Sequence, residues 1–182
     1  EGYEIAPGKL WLHSIAASNI AESLAKNRKI DGTYDVFTSA LLHDIGKLVL
    51  SKFLKEELQK IKSITANAVP LDVAEHMVLG TDHAEIGALI LGRWSFPSDL
   101  VNAVRWHHNP ERNRNSTTKS DMVYLSNLVC QPHAESDSAG GQLITPSSIV
   151  LDRLGIKLAQ YEAFAEKAQS WMKKLSDTLT LD

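Results

Sequence analysis

The residues of this chain best equipped for chemistry are His13, the adjacent pair His43-Asp44, His83, the pair His107-His108, and Asp121. The stretch Leu41–Leu50, Leu-Leu-His-Asp-Ile-Gly-Lys-Leu-Val-Leu, sets an imidazole and a carboxylate between two apolar runs. Burying both is costly unless they are paired or bound to something. Taken alone, the dipeptide reads as a buried hydrogen-bonded pair, and His13 alone as a core histidine. Taken together, these groups read as ligands of a divalent metal. Imidazole nitrogen and carboxylate oxygen suit Zn, Mn or Fe, and the mixture is typical of hydrolytic centres. Seven candidate ligands suffice for two ions. Two ions about 3.5–4 Å apart activate water and clamp the oxygens of an in-line phosphoryl displacement. Asp44 is the expected bridge, because a carboxylate has two oxygens and an imidazole one free lone pair. Lys47, one turn on, is expected to place its ammonium on a phosphate oxygen and ease departure of the leaving group.

Periodicity indicates the elements that must hold these groups. From Leu10 to about Lys26, His13, Ala16, Ala17, Ile20, Ala21 and Leu24 recur at three-and-four spacing, which puts His13 on a helix face of small residues. A second helix, Asp35 to about His43, delivers the His-Asp pair, and Gly46 is expected to let the chain turn. Leu48 to about Ile64 reads as one helix with a solvated charged face. Pro70 opens a short helix through Leu79, and Thr81 is the expected N-cap of a helix over 82–94 that carries His83. Asp99–His107 is predicted as a short helix ended by Asn109-Pro110. A continuing helix would splay His107 and His108 by about 100°, so both can ligate only if it ends there. Asp121 falls in the first turn of a helix through Val129, where favouring the helix dipole is its alternative role. Glu75 and Asp82 read as solvated carboxylates, with orienting a metal-bound imidazole as their alternative role, and His76 and His133 as surface groups. Helices over 147–154 and from 158 to about 175 complete the pattern. No stretch alternates at period two for long enough to be a strand, so the fold class is all-α, with a helical core over 1–131. A polar loop and C-terminal helices over 132–182 are expected to pack on the same domain.

Composition narrows the function. With 182 residues, 43% hydrophobic and 23% charged, the chain can bury a real core. A net charge of −3 offers no basic surface for a nucleic-acid polymer or an anionic membrane. No apolar run is long enough to span a membrane. The single cysteine, Cys130, excludes a disulfide framework within the chain and fits a cytoplasmic location. Gly140-Gly141 is not followed by Gly-Lys-Ser/Thr, so a phosphate-binding loop of that type is excluded.

His13, His43-Asp44 and Asp121 resemble the H…HD…D pattern of the HD superfamily of metal-dependent phosphohydrolases, which implies an HD-domain-like helical bundle. His83 and His107-His108 resemble the fuller ligand set of the HD-GYP branch, but Asn-Pro-Glu-Arg-Asn-Arg follows His108 where that branch has a Gly-Tyr-Pro loop. This departure puts cyclic di-GMP as substrate in doubt. The overall pattern is most similar to the HDOD domains, bacterial signalling modules. Gly2–Ser14, Gly80-Thr81-Asp82-His83 with Gly87, and Trp94–Pro110 carry that resemblance. It implies a signalling domain that retains its metal positions, with a nucleotide or other phosphoester as substrate and a protein partner in a signalling pathway. Such domains usually carry a further helical region upstream, so the chain is expected to be part of a longer regulator. The alternatives are a non-catalytic output domain with a structural or vestigial metal site, and an HD-type dinucleoside tetraphosphatase.

Overall fold

A computed structural model describes residues 8–113, 118–131 and 144–179, with side chains to 174. The described residues form α1 (Lys9–Asn27), α2 (Thr33–Leu42), α3 (Ile45–Phe53), α4 (Lys55–Thr65), α5 (Leu71–Leu79), α6 (His83–Arg93), α7 (Ser98–Arg105), α8 (Thr118–Cys130), α9 (Ser148–Leu154) and α10 (Leu158–Leu179). A 3-10 turn, Pro110–Arg112, follows α7, and there is no strand among the described residues. The fold is all-α, as the periodicity implies.

The core is built on small residues. Ala16, Ala17, Ala21 and Ala25 give α1 a nearly flat stripe, and Val36 and Ala40 of α2 meet it. Short side chains let helix axes approach closely, which brings His13 and the end of α2 within reach of each other. α8 runs through the middle, with every residue from Ser120 to Cys130 buried except Tyr124. Val150, Leu151 and Leu154 of α9, with Tyr161, Ala165 and Ala168 of α10, join the same core.

Two local expectations change. The run from Leu48 to Ile64 is two helices, because Leu54 leaves the helical region at φ −124°, ψ 52°. The break lets α4 turn so that Leu58 and Ile61 pack on Ala74 of α5. Gly46 does not make a turn; it lies in the first turn of α3. What requires glycine is the approach of α6: a Cβ there would lie 1.9 Å from the His83 carbonyl oxygen. Gly87 faces it, 3.3 Å from the Gly46 nitrogen to its own would-be Cβ. This glycine contact lets His83 reach the His43-Asp44 corner. No described helix is long and apolar enough to cross a membrane.

Candidate metal centre

The site collects at the junction of α2 and α3. The chain stays near helical conformation through His43 and Asp44, so both side chains emerge on the inner side of the bend. His43 and Asp44 are 0% and 2% exposed. α1 contributes His13, α6 contributes His83 at its first residue, and the segment after α7 contributes His107 and His108. α7 ends at Arg105, with Trp106 outside helical geometry, so the two adjacent imidazoles converge and their ring centroids are 4.0 Å apart.

Two triads of possible ligands result: His13, His43 and Asp44, and His83, His107 and His108. The Asp44 carboxylate lies between them. Its Oδ2 is 3.7 Å from His13 Nε2, 3.5 Å from His43 Nε2 and 2.7 Å from Lys47 Nζ. Its Oδ1 is 3.3 Å from His83 Nε2 and 3.9 Å from His107 Nε2. His13 Nε2 and His43 Nε2 are 3.2 Å apart, and His83 Nε2 and His108 Nε2 2.8 Å.

The other ring nitrogens fix the tautomers. His43 Nδ1 is 2.6 Å from the Ala40 carbonyl oxygen, and His107 Nδ1 is 2.7 Å from that of Val104. A carbonyl oxygen only accepts, so each Nδ1 carries the hydrogen and each Nε2 presents a lone pair to the centre. His83 Nδ1 donates to Glu75 Oε2 at 2.6 Å, and the His83 backbone N–H donates to the same oxygen at 2.8 Å. Three imidazole lone pairs therefore face one carboxylate. Asp44 Oδ1 and His107 Nε2 are buried there without a hydrogen-bond partner. Converging acceptors repel unless a cation or proton lies among them, and an orphaned buried acceptor costs on the order of 1–3 kcal/mol. Nitrogen and carboxylate donors in this arrangement fit a borderline divalent ion.

Electrostatics point the same way. Burial alone would raise the Asp44 pKa, but His43, Lys47 and His83 outweigh it and hold the carboxyl well below its usual range. Burial pushes His43 down to about 4, and lowers His107 and His108 well below the usual imidazole value, which keeps them neutral and available as ligands. His13 is lowered by burial as well. His83 is the exception: burial opposes its protonation, yet the carboxylates of Asp44 and Glu75 on either side of the ring prevail and raise its pKa.

Of the residues singled out in the sequence, His13, His43, Asp44, Lys47, His83, His107 and His108 come together. Asp121 does not join either triad; its buried carboxylate is engaged by Arg153 of α9. From α8, the Asn127 side chain and the Cys130 backbone lie against His13, and Asn127 also lines the adjoining cleft. Glu75, expected in solvent, is fully buried and orients His83. Its signal was present in the sequence as a carboxylate on a short helix just ahead of a candidate ligand. Asp82 rather than Thr81 caps α6, accepting from the Glu85 N–H at 2.8 Å. His76 is exposed, and His133 lies outside the described residues. A cleft of about 1210 Å³ opens beside Asp44, His13 and His108, with Lys9 and Lys47 as its only lining cations among the described residues.

A helical domain that gathers histidines around a His-Asp corner belongs to the HD-related class. Within that class the chain belongs to the HDOD domain family, whose description matches residues 2–110. An uncharacterized protein of Treponema pallidum (strain Nichols) is 32% identical over 103 residues, which is 56% of this chain and 20% of that protein. An HDOD domain protein of unknown function from Geobacter sulfurreducens has the same fold, with a TM-score of 0.76 at 20% identity over 96% of this chain and 63% of its own. A provisionally named phosphohydrolase of Shewanella amazonensis SB2B superposes with a TM-score of 0.72 at 23% identity, over 93% and 62% of the two chains. The MmoQ response regulator of Methylococcus capsulatus gives 0.60 at 20% identity, over 88% and 64%. The chain thus spans a fifth of the Treponema relative and under two thirds of each of these structures.

Proposed function

We propose that this chain is a signalling domain that holds divalent metal at its His-Asp corner, two ions when fully loaded, and hydrolyses a phosphoester. The observation that carries the reading is the set of Nε2 lone pairs aimed at Asp44, with Asp44 Oδ1 and His107 Nε2 left without partners. His13, His43 and Asp44 would hold one ion; His83, His107, His108 and Asp44 the other. Such ions, when bound, generate a nucleophile from water near neutral pH and polarise a phosphoryl oxygen. The chain's own residues do the rest. Asp44 ties the two ligand sets together, and Glu75 fixes the His83 ring and its tautomer. Lys47 holds the Asp44 carboxylate at 2.7 Å and stands at the cleft wall, where its ammonium can meet negative charge developing on the phosphoryl group.

The scarcity of cations in the cleft narrows the substrate. Away from the metal positions, a polyphosphate would meet only Lys9 and Lys47 among the described lining residues, whereas Leu10, Leu12, Val69 and Leu71 offer an apolar wall. This favours a nucleotide or other ester with a single phosphoryl group over a dinucleoside tetraphosphate. Likeness to a provisionally named phosphohydrolase and to a response regulator supports hydrolysis within a signalling protein.

A non-catalytic output role is the second reading. Trp11, Tyr34, Phe53 and Trp94 are 61–81% exposed, and large exposed side chains of this kind suit a protein partner. We place the domain in the cytoplasm, consistent with its lone buried thiol at Cys130.

Elemental analysis and a phosphoester screen test the reading on the wild-type chain and Asp44→Ala. Bound Mn, Fe or Zn with a hydrolysed substrate, both lost in the variant, supports it. Metal without any turnover supports the output role, and no metal uptake at all refutes the hydrolase reading and leaves the output role.

A further inference from the structure

Both oxygens of Asp44 face histidines, but their surroundings differ. Oδ1 is buried without a partner, and the imidazole nitrogen left without one, His107 Nε2, lies on the same side. Behind His83 on that side stands the Glu75 carboxylate, fully buried. A carboxylate hydrogen-bonded to a ligand imidazole raises its basicity and strengthens metal binding. Oδ2 is in the opposite situation. The Lys47 ammonium already occupies it at 2.7 Å, and it must be shared by any cation bound with His13 and His43. The Nδ1 of His43 has only the neutral Ala40 carbonyl behind it. His13 is 20% exposed, and the α8 side chain that meets it is the neutral Asn127.

Charge makes the asymmetry consequential. Asp44 is the sole carboxylate in the two ligand triads. A first divalent ion is met by Asp44 and, through His83, by Glu75. A second brings two more positive charges next to the first and to Lys47, with no new anion. In a buried site such repulsion is weakly screened. A phosphate group between the ions would supply the missing negative charge.

We propose that the His83–His107–His108 half, with Asp44 Oδ1, is a resident metal site, and that the His13–His43 half, with Asp44 Oδ2, is exchangeable and fills only with a phosphate-bearing anion. The proposal rests on the metal reading above and adds an order of filling to it. The complete centre then assembles on its substrate, and the neutral side chain of Asn127 leaves the exchangeable half short of charge.

Equilibrium dialysis of the 182-residue chain against Mn²⁺, with and without inorganic phosphate, reads this directly. One Mn per chain is expected without phosphate and two with it. Phosphate should tighten the second site by at least about tenfold, within the usual range of coupled binding, and Mn should tighten phosphate by the same factor. Asn127→Asp should bind the second Mn without phosphate. His13→Ala should keep the first Mn and lose the phosphate-dependent one, whereas His107→Ala should lose the first. Helical content by circular dichroism checks each variant, and the phosphate comparison on the wild-type chain needs no variant. Two equal Mn sites without phosphate would overturn the proposed order while leaving the metal reading intact. A first Mn that survives His107→Ala and vanishes in His13→Ala would overturn it as well. No Mn under either condition would refute the metal reading itself.

Discussion

Replacing Gly46 by alanine adds one methyl group at the contact that brings α3 against α6. An alanine is ordinarily the better helix residue, by about 1 kcal/mol in a helix interior. Here its Cβ would lie 1.9 Å from the His83 carbonyl oxygen, 2.8 Å from that carbonyl carbon and 2.9 Å from the Gly87 nitrogen. All three are backbone atoms, so no side chain can swing away. Ordinary contact begins at 3.4 Å, which requires the helices to part by about 1.5 Å. Overpacking of well-packed interiors typically costs 1–3 kcal/mol, and a contact against two backbone segments belongs at the upper end, roughly 3 kcal/mol. The clash therefore exceeds the propensity gain, and Gly46→Ala should destabilise by about 2 kcal/mol net. The displacement also carries His83 Nε2 away from Asp44 Oδ1, now 3.3 Å distant. Metal affinity should fall by about 10- to 100-fold, comparable with the loss of a group that orients a ligand. Urea denaturation of the metal-free chain and Mn²⁺ titration give the two readouts. Unchanged or increased stability with unchanged Mn²⁺ affinity would refute the argument that Gly46 is required by helix approach.

Other consequences are accessible to the same measurements. Glu75→Gln keeps the shape but removes the charge behind His83, and should lower Mn²⁺ affinity about 10- to 100-fold with near-wild-type helical content. Asp121→Asn leaves Arg153 without its charged partner and should cost roughly 1–3 kcal/mol by denaturation, with metal stoichiometry unchanged because Asp121 lies outside both triads. His43 has a folded pKa of about 4 against 6.5 when unfolded, so between these values the unfolded chain binds the proton and the folded chain does not. Its contribution, up to about 3 kcal/mol, is present above pH 6.5 and lost as pH falls toward 4. The raised pKa of His83 works in the opposite direction and is removed by His83→Gln, so metal-free His83→Gln should show the steeper acid loss of stability.

The helices were legible because their apolar spacing is regular, as in Ala16, Ala17, Ile20, Ala21 and Leu24 of α1. The converging histidines were legible too, since helix ends and a Pro after Asn109 place them. What escaped the sequence depends on tertiary partners. Asp121 reads as a ligand until Arg153, from another helix, is found on its carboxylate. Asn127 carries no obvious chemical signal, and only the path of α8 past His13 reveals it. Glu75 looked solvated because its helix is short and charged, yet the start of α6 covers it. Gly46 looked like a turn residue because a lone glycine between apolar runs does not reveal an approaching backbone. The interruption at Leu54 lacks a proline or glycine to announce it; packing of Leu58 and Ile61 on α5 accounts for it.

Anomalous diffraction from crystals grown with Mn²⁺ and phosphate tests the central claim most directly. One Mn peak is expected among His83, His107 and His108 and a second beside His13 and His43, with the Asp44 carboxylate reaching both. Crystals with no Mn at these histidines, or with Mn only at sites that leave Asp44 untouched, would contradict it.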